Sequence, residues 1–195
     1  KSSPSVCAGC SRGCNIEVHF NDWQAHKVEE KRVMRFKPRF NEEINKWWIC
    51  DEGRYSYKSI DDNRITQVKG ADDWASAVRL IASKLKALTQ SSTRSLAVLL
   101  SPQQSNEELF LAHKLFGQIS GRNRLFLVSP TQPGYEDQFL IKADKNPNTT
   151  GARALGFHAT ENVVDQLLEE AEAGKLKALY IFGQDLSTRF GEDAR

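Results

Sequence analysis

Four cysteines in the first quarter of the chain are the feature that most constrains how this sequence folds. Cys7, Cys10 and Cys14 lie within eight residues, in the stretch "SVCAGCSRGCNI", and 35 residues separate Cys14 from Cys50. The rest of the 195-residue chain contains no cysteine. A chain of this length buries roughly 70% of its unfolded surface, so its stability does not require disulfides. The spacing C-x2-C-x3-C-x35-C therefore points first to a bound metal centre.

The three-plus-one division of the cysteines favours a [4Fe–4S] cluster. Its four irons stand at the corners of a tetrahedron, and each takes one thiolate. A short loop can wrap one face and supply three thiolates, while a distant segment supplies the fourth. Gly9 and Gly13 allow close backbone approach and permit the positive φ that such a loop tends to need. Structural zinc, which usually takes two close ligand pairs, remains an alternative, as do two disulfides or ordinary buried thiols.

The net charge and the sequence motifs limit which partners and activities we expect for this chain. The net charge of +2 is too small to indicate nucleic acid or an anionic membrane. A basic run from Lys27 to Arg39 is diluted by glutamates, so we expect no nucleic-acid partner. The longest apolar runs are strand-sized, far below the ~20 residues of a membrane helix. We find no nucleotide-binding or hydrolase motif. The four histidines lack ligand spacing and are predicted to be structural or surface residues: His19, His26, His113 and His158.

Residues 1–68 are predicted to form a small β-rich domain that carries the cysteines. Alternating apolar residues in "NIEVHF" indicate a half-buried strand, and "KRVMRFKPR" indicates a returning strand that ends at Pro38. Residues 23–30 between them are predicted to form a hairpin tip. The pair Trp47-Trp48 precedes Cys50 and is predicted either to shield the metal centre or to pack in the core.

Residues 69–195 are predicted to form a partial doubly wound, Rossmann-like α/β domain with a parallel sheet. Helices are predicted over "DDWASAVRLIASKLKAL", "SNEELFLAHKLFGQIS" and "TENVVDQLLEEAEAG", and buried strands over "RSLAVLLS", "RLFLVS" and "LKALYIFG". A long irregular segment from Pro130 to about His158 is predicted to include a short helix near Glu136 to Ala143. Because the chain lacks an initial Met and ends just after an apparent strand, we expect a piece of a longer protein.

"SVCAGCSRGCNIEV" and "ICDEGRYSY" together resemble the [4Fe–4S] module of the molybdopterin oxidoreductase family. The resemblance is strongest to the version in a peripheral-arm component of bacterial NADH–quinone oxidoreductase, respiratory complex I. It also extends over "LLSPQQSNEELFLAHKL", "IKADKNPNTTGARALGF" and "GKLKALYIFGQDL". It implies one [4Fe–4S] cluster whose ligands are Cys7, Cys10, Cys14 and Cys50.

Two departures from the family pattern bear on whether this chain binds the molybdopterin of the family. Where the molybdenum enzymes often carry a Lys beside the pterin, this chain has Glu52, and where a turn usually carries a Pro, it has Leu186. A carboxylate near a pterin pyrophosphate is electrostatically unfavourable. We therefore expect no bound molybdopterin and no catalytic residue in this chain.

The resemblance implies a part of an NADH:quinone oxidoreductase in the peripheral electron-transfer arm. Its partners would be other subunits of a membrane-associated respiratory complex, on the cytoplasmic side of the inner membrane, without direct membrane insertion. The alternatives are the N-terminal part of a molybdopterin-dependent oxidoreductase of the formate dehydrogenase type and a structural zinc-binding module.

Overall fold

A computed structural model of the chain describes residues 1–22, 32–62, 64–91, 95–121, 124–129, 133–157 and 162–184. Its first sheet has three antiparallel strands in the order β1-β2-β3. The strands are β1 (Ser2–Val6), β2 (Asn15–Phe20) and β3 (Val33–Pro38). β2 and β3 are the strands that the sequence predicts. β1 was not predicted, since its five residues are all exposed and show no apolar alternation. The predicted hairpin tip at residues 23–30 lies outside the described residues.

Two short helical turns follow the sheet. Helix α1 (Asp51–Tyr55) begins directly after Cys50, and a 3-10 turn covers Ser56–Ser59. The sequence predicted only a turn at Gly53. Segment 133–147, which we call the cover segment, contains neither helix nor strand, so the predicted helix near Glu136 to Ala143 is wrong. The Asp137 carboxylate instead accepts hydrogen bonds from the N–H groups of three residues, Phe139, Leu140 and Ile141, and fixes a tight bend.

The second sheet is parallel, as predicted, and has the order β5-β4-β6. Its strands are β4 (Leu96–Leu100), β5 (Leu125–Leu127) and β6 (Ala178–Ile181). All five residues of β4 are buried, which suits the central strand of a sheet covered on both faces. β6 was predicted to be buried, but it lies at the edge of the described sheet and its alternate residues are exposed.

Helices cover both faces of β4. Leu96, Val98 and Leu100 share one buried cluster with α3 (Asn106–Ile119), whereas Ala97 and Leu99 share another with α5 (Val163–Glu172). This arrangement confirms the predicted α/β fold with helices on the two faces of a parallel sheet. The predicted capping box of α3 is also present, because Ser105 and Glu108 each accept a hydrogen bond from the other's N–H group.

Two predicted helix faces are less buried than expected. On α2 (Trp74–Ser91), the residues predicted to face inward include Trp74, Val78 and Ile81, and all three are exposed. Val78, Ile81 and Leu85 line an open groove with residues of α3, so this stripe is only partly covered within the described chain. On α5, Leu168 is exposed although Val163, Val164 and Leu167 are buried as predicted. A further helix, α4 (Thr149–Ala154), was not predicted.

Close contacts divide the chain into two compact units. The first comprises Lys1–Thr66 together with Thr131–Pro147, and the second comprises Gln67–Pro130 together with Asn148–Arg195. The sequence placed its boundary between residues 68 and 69 and assigned the cover segment to the second domain. The structure groups that segment with the cysteines because its apolar residues pack among them. In the part of the chain that is described, no helix has the length and apolar character needed to span a membrane.

Candidate iron–sulfur site

Three of the four cysteines lie on the loop that joins β1 to β2. The two strands pair as far as Val6 and Asn15, so the eight intervening residues must reverse the chain. The N–H of Cys7 donates to the carbonyl of Cys14 at 2.8 Å and closes the loop. Gly13 has a φ of 67°, as predicted, whereas Gly9 does not adopt a positive φ. The loop thus brings three thiols together by local geometry alone.

Cys50 approaches the loop from the other side, at the N-terminal boundary of α1. Its Sγ accepts a hydrogen bond from the N–H of Gly53 at 3.3 Å. The position of this segment depends on Asn45, a buried residue that the sequence analysis missed. The Asn45 side chain accepts from the N–H of Asn15 at 2.9 Å and donates to the carbonyl of Trp48 at 2.9 Å. It thereby ties the residues before Cys50 to the start of β2.

The four cysteines line one small pocket, which we call the thiol pocket. Its other lining residues include Glu52, Gly53, Leu140 and Ile141. Gly53 is required by space, because a Cβ at this position would lie 2.9 Å from the Sγ of Cys7 and 3.5 Å from the Sγ of Cys50. The cover segment places Leu140 in one apolar cluster with Cys7, Cys14, Ile16 and Ile49. The pocket is therefore walled by apolar side chains as well as by sulfur.

The apolar surroundings make the thiolate form of these cysteines costly in the absence of a cation. Burial raises the pKa of Cys14 to about 12, and the charges of Cys7, Cys10 and Cys50 add to the rise. Burial is also the main reason that the pKa of Cys7 is raised, although the N–H of Gly9 opposes the change. Metal cations offset such penalties, because a coordinating thiol is held deprotonated. The donor set thus suits a positively charged centre.

The four cysteines of the pocket are available as thiol donors. All four cysteines are free of disulfide bonds. Within the described ranges, no three His, Cys, Asp or Glu side chains converge on one position as ligands of a single metal ion would. Zinc requires four donors within about 2.3 Å of one point. A cubane places its thiolates further apart, at the four corners of an iron tetrahedron, so a [4Fe–4S] cluster does not require such convergence.

Arg12 is a second residue that the sequence analysis missed. It lies inside the cysteine loop, and its charge favours the thiolate form of Cys14 and so lowers the pKa of that thiol. Its Nε is buried and has no hydrogen-bond partner among the described residues. A buried donor of this kind fits a pocket whose occupant carries acceptor sulfurs.

The exposure of Trp47 and Trp48 tests the two predictions that the sequence made for this pair. Trp47 and Trp48 are both exposed, so neither packs in the core. Trp48 stacks edge-on against Phe139 of the cover segment, with ring centroids 5.6 Å apart.

His19 lies on β2 and His113 stacks against Phe157 on the second unit, positions in keeping with structural roles. His26 and His158 lie outside the described residues.

Glu52 lies at the rim of the thiol pocket, and 62% of its side chain is exposed. Its carboxylate lies 3.5 Å from the Nζ of Lys145 in the cover segment. This pairing was not predicted, because nothing in the sequence brings two residues 93 positions apart together. Leu186, the other departure noted above, lies outside the described residues.

The cysteine segment is similar to one known family of domains. Residues 11–58 match the sequence model of a family described as "NADH-ubiquinone oxidoreductase NDSU1/NuoG-like, 4Fe-4S domain". The match covers about a quarter of the chain, includes Cys14 and Cys50, and begins one residue after Cys10.

Curated relatives extend the comparison along the chain. A Staphylococcus aureus protein of strain USA300, named "Putative formate dehydrogenase", is 27% identical over 134 residues, or 64% of this chain. A protein of the same name from the bovine strain RF122 is 26% identical over the same length. The chain spans only 13% of the length of each of these relatives.

These comparisons support an iron–sulfur module. Residues 11–58 are similar to a 4Fe-4S domain of an oxidoreductase, and the buried thiols of Cys7, Cys10 and Cys14 fit an iron–sulfur cluster.

Proposed function

We propose that this chain is the [4Fe–4S] module of a subunit of the NADH–quinone oxidoreductase, complex I type, with Cys7, Cys10, Cys14 and Cys50 as ligands. The observation that carries the proposal is the convergence of four thiols from two distant segments on one pocket. The description of the family that matches residues 11–58 supports the assignment to this type of enzyme.

The chain's own residues hold the cluster and exclude water from it. A bound cluster supplies one-electron transfer, at a potential set by the surrounding charge, hydrogen bonds and burial. The N–H groups of Gly9 and Gly53 donate to the Sγ atoms of Cys7 and Cys50, at 3.5 and 3.3 Å. Such hydrogen bonds stabilise charge on sulfur. Leu140 and Ile141 line the apolar side of the pocket.

In this proposal the module acts within the peripheral arm of the complex, on the cytoplasmic side of the inner membrane. Its partners are the neighbouring subunits of that arm, and it contains no complete catalytic site of its own. The proposal includes no molybdopterin beside the cluster.

The second candidate function is the front end of a molybdenum-dependent formate dehydrogenase. It is favoured by the curated relatives of that name, which are similar to 64% of the chain. Both candidates share the cluster, so the cluster by itself does not distinguish them.

Purification of the full-length protein from its native cells through an affinity tag separates the two candidates. We expect the tagged protein to co-purify with an assembly that reduces quinone with NADH and contains no stoichiometric molybdenum. Co-purification of molybdenum with formate-dependent dye reduction would contradict the proposal and support the second candidate. The Cys50→Ser variant of the tagged protein serves as the control for the contribution of the cluster.

A further inference from the structure

The ammonium group of Lys145 is fixed beside the thiol pocket by contacts within the first unit. Its Nζ donates to the carbonyl of Tyr135 at 3.1 Å and lies 3.5 Å from the Glu52 carboxylate. Only 15% of the side chain is exposed. Its methylene stem runs against Gly134, where a Cβ would lie 2.5 Å from the Cε of Lys145. A glycine at this position therefore leaves the room in which the lysine stem lies.

A backbone hydrogen bond connects the residue before this lysine to the cysteine loop. The carbonyl of Asp144, the residue before Lys145, accepts from the N–H of Ser11 at 2.8 Å. Ser11 lies between Cys10 and Cys14. On the cover segment itself, the N–H of Gly134 donates to the carbonyl of Ala143 at 2.9 Å. The two residues that precede Lys145 are thus both held by backbone hydrogen bonds, and one of these bonds comes from the ligand loop.

The pairing with Glu52 adds little to folding stability, because the carboxylate is mostly exposed and exposed ion pairs are weak. The effect of Lys145 on the electrostatics of the pocket is larger than its effect on stability. The ammonium group is largely withdrawn from water, so water and salt screen its electric field less. Without Lys145, the Glu52 carboxylate would face the thiol pocket with its charge uncompensated.

We propose that Lys145 neutralises Glu52 at the rim of the thiol pocket and so raises the reduction potential of the cluster bound there. The proposal rests on the proposed function, since it requires a cluster. When an external one-electron donor reduces the cluster, the centre gains one electron and one negative charge, and no bond forms or breaks. A nearby cation stabilises the more negative state, whereas an unpaired carboxylate destabilises it.

A redox titration of the reconstituted 195-residue chain, reduced with dithionite and followed by electron paramagnetic resonance, tests this role. We expect Lys145→Met to shift the midpoint potential to a more negative value. Lys145→Arg, which keeps the charge, should retain the wild-type potential. The double variant Lys145→Met with Glu52→Gln should return towards the wild-type potential, because both charges of the pair are then absent.

Lys142→Met is the matched control. Lys142 lies on the same cover segment, is 41% exposed and pairs with Glu136 at 3.4 Å, and neither residue of this pair lines the thiol pocket. Its removal should leave the potential unchanged and so exclude a general effect of losing one positive charge.

Two results would overturn the inference while leaving the proposed function intact. One is a wild-type potential in Lys145→Met, and the other is the same shift in Lys142→Met as in Lys145→Met. A cluster that takes up no electron at any applied potential would overturn the inference as well. Retention of zinc without iron would instead overturn the proposed function itself.

Discussion

Gly53 shows how strongly one position shapes the thiol pocket. It follows Cys50 by three residues, donates its N–H to that thiol and leaves the space that a side chain would take from Cys7. Gly9 lies in the same pocket under a weaker constraint, because a Cβ there would lie 3.6 Å from the Sγ of Cys7, an ordinary contact.

We therefore expect Gly53→Ala to retain much less iron than the wild type after reconstitution, because the added methyl group displaces Cys7 or Cys50. Gly9→Ala, the matched control, should retain iron close to the wild-type level. Iron per chain, measured after desalting, gives the comparison. Equal retention in the two variants would show that the space at Gly53 is not limiting.

At the level of single residues, the sequence predicts what depends on local spacing and misses what depends on tertiary contact. Cys7, Cys10 and Cys14 are recognisable because a loop of eight residues must bring them together. Asn45 and Lys145 carry no such signal, since each is an ordinary polar residue until another segment supplies its partners.

Secondary-structure elements with a strong periodic signal were predicted, and weak or exposed ones were not. β4 and α3 have a continuous apolar run and a capping box, which need no tertiary information. β1 has neither, and its Pro4 fits only because the strand lies at the edge of the described sheet. Which side of α5 is covered depends on the packing of β4, so the exposure of Leu168 could not be read from periodicity alone.

An ion pair connects α5 with the start of β5. The guanidinium of Arg124 donates to both carboxylate oxygens of Glu170, at 3.1 and 2.7 Å. The hydrogen bond from Arg124 lowers the pKa of Glu170 below its ordinary value of 4.5. A lowered pKa in the folded state means that the stabilisation is complete well above the ordinary value and is lost as the pH falls through the lowered one.

We expect Glu170→Gln to reduce the free energy of unfolding by about 1 kcal/mol at neutral pH, since the pair is only partly exposed. The difference from the wild type should vanish as the pH falls below the lowered pKa of Glu170. Urea unfolding of both proteins, followed by circular dichroism across this range, measures the difference. Glu169→Gln, an exposed neighbour, is the control, and an equal loss in that variant would contradict the prediction.

For the molecule as a whole, the sequence predicted two parts but assigned the cover segment differently from the structure. Chain order placed residues 133–147 with the α/β elements because they lie between two strands. The structure places them with the cysteines because Leu140 packs in the apolar cluster there. The local sequence does not show that a segment between two strands of the second unit belongs to the first unit.

Metal removal should affect the first unit selectively. Metal binding stabilises the fold that presents the ligands, and three buried thiols and a half-buried one lose that contribution without a cation. We expect anaerobic chelation of iron to increase hydrogen exchange in residues 1–22, 32–62 and 133–147, while the amides of β4 remain protected. The untreated protein in the same buffer is the control. Unchanged protection in the first unit would mean that the thiol pocket does not depend on its metal.

The content of iron, sulfide and zinc in the purified chain tests the central claim most directly. The protein is produced with both metals supplied, reconstituted without oxygen, and measured together with its Cys50→Ser variant. We predict about four irons and four sulfides per wild-type chain, an electron paramagnetic resonance signal on reduction, and loss of this cluster in the variant. One zinc per chain, with no iron and no such signal, would contradict the account.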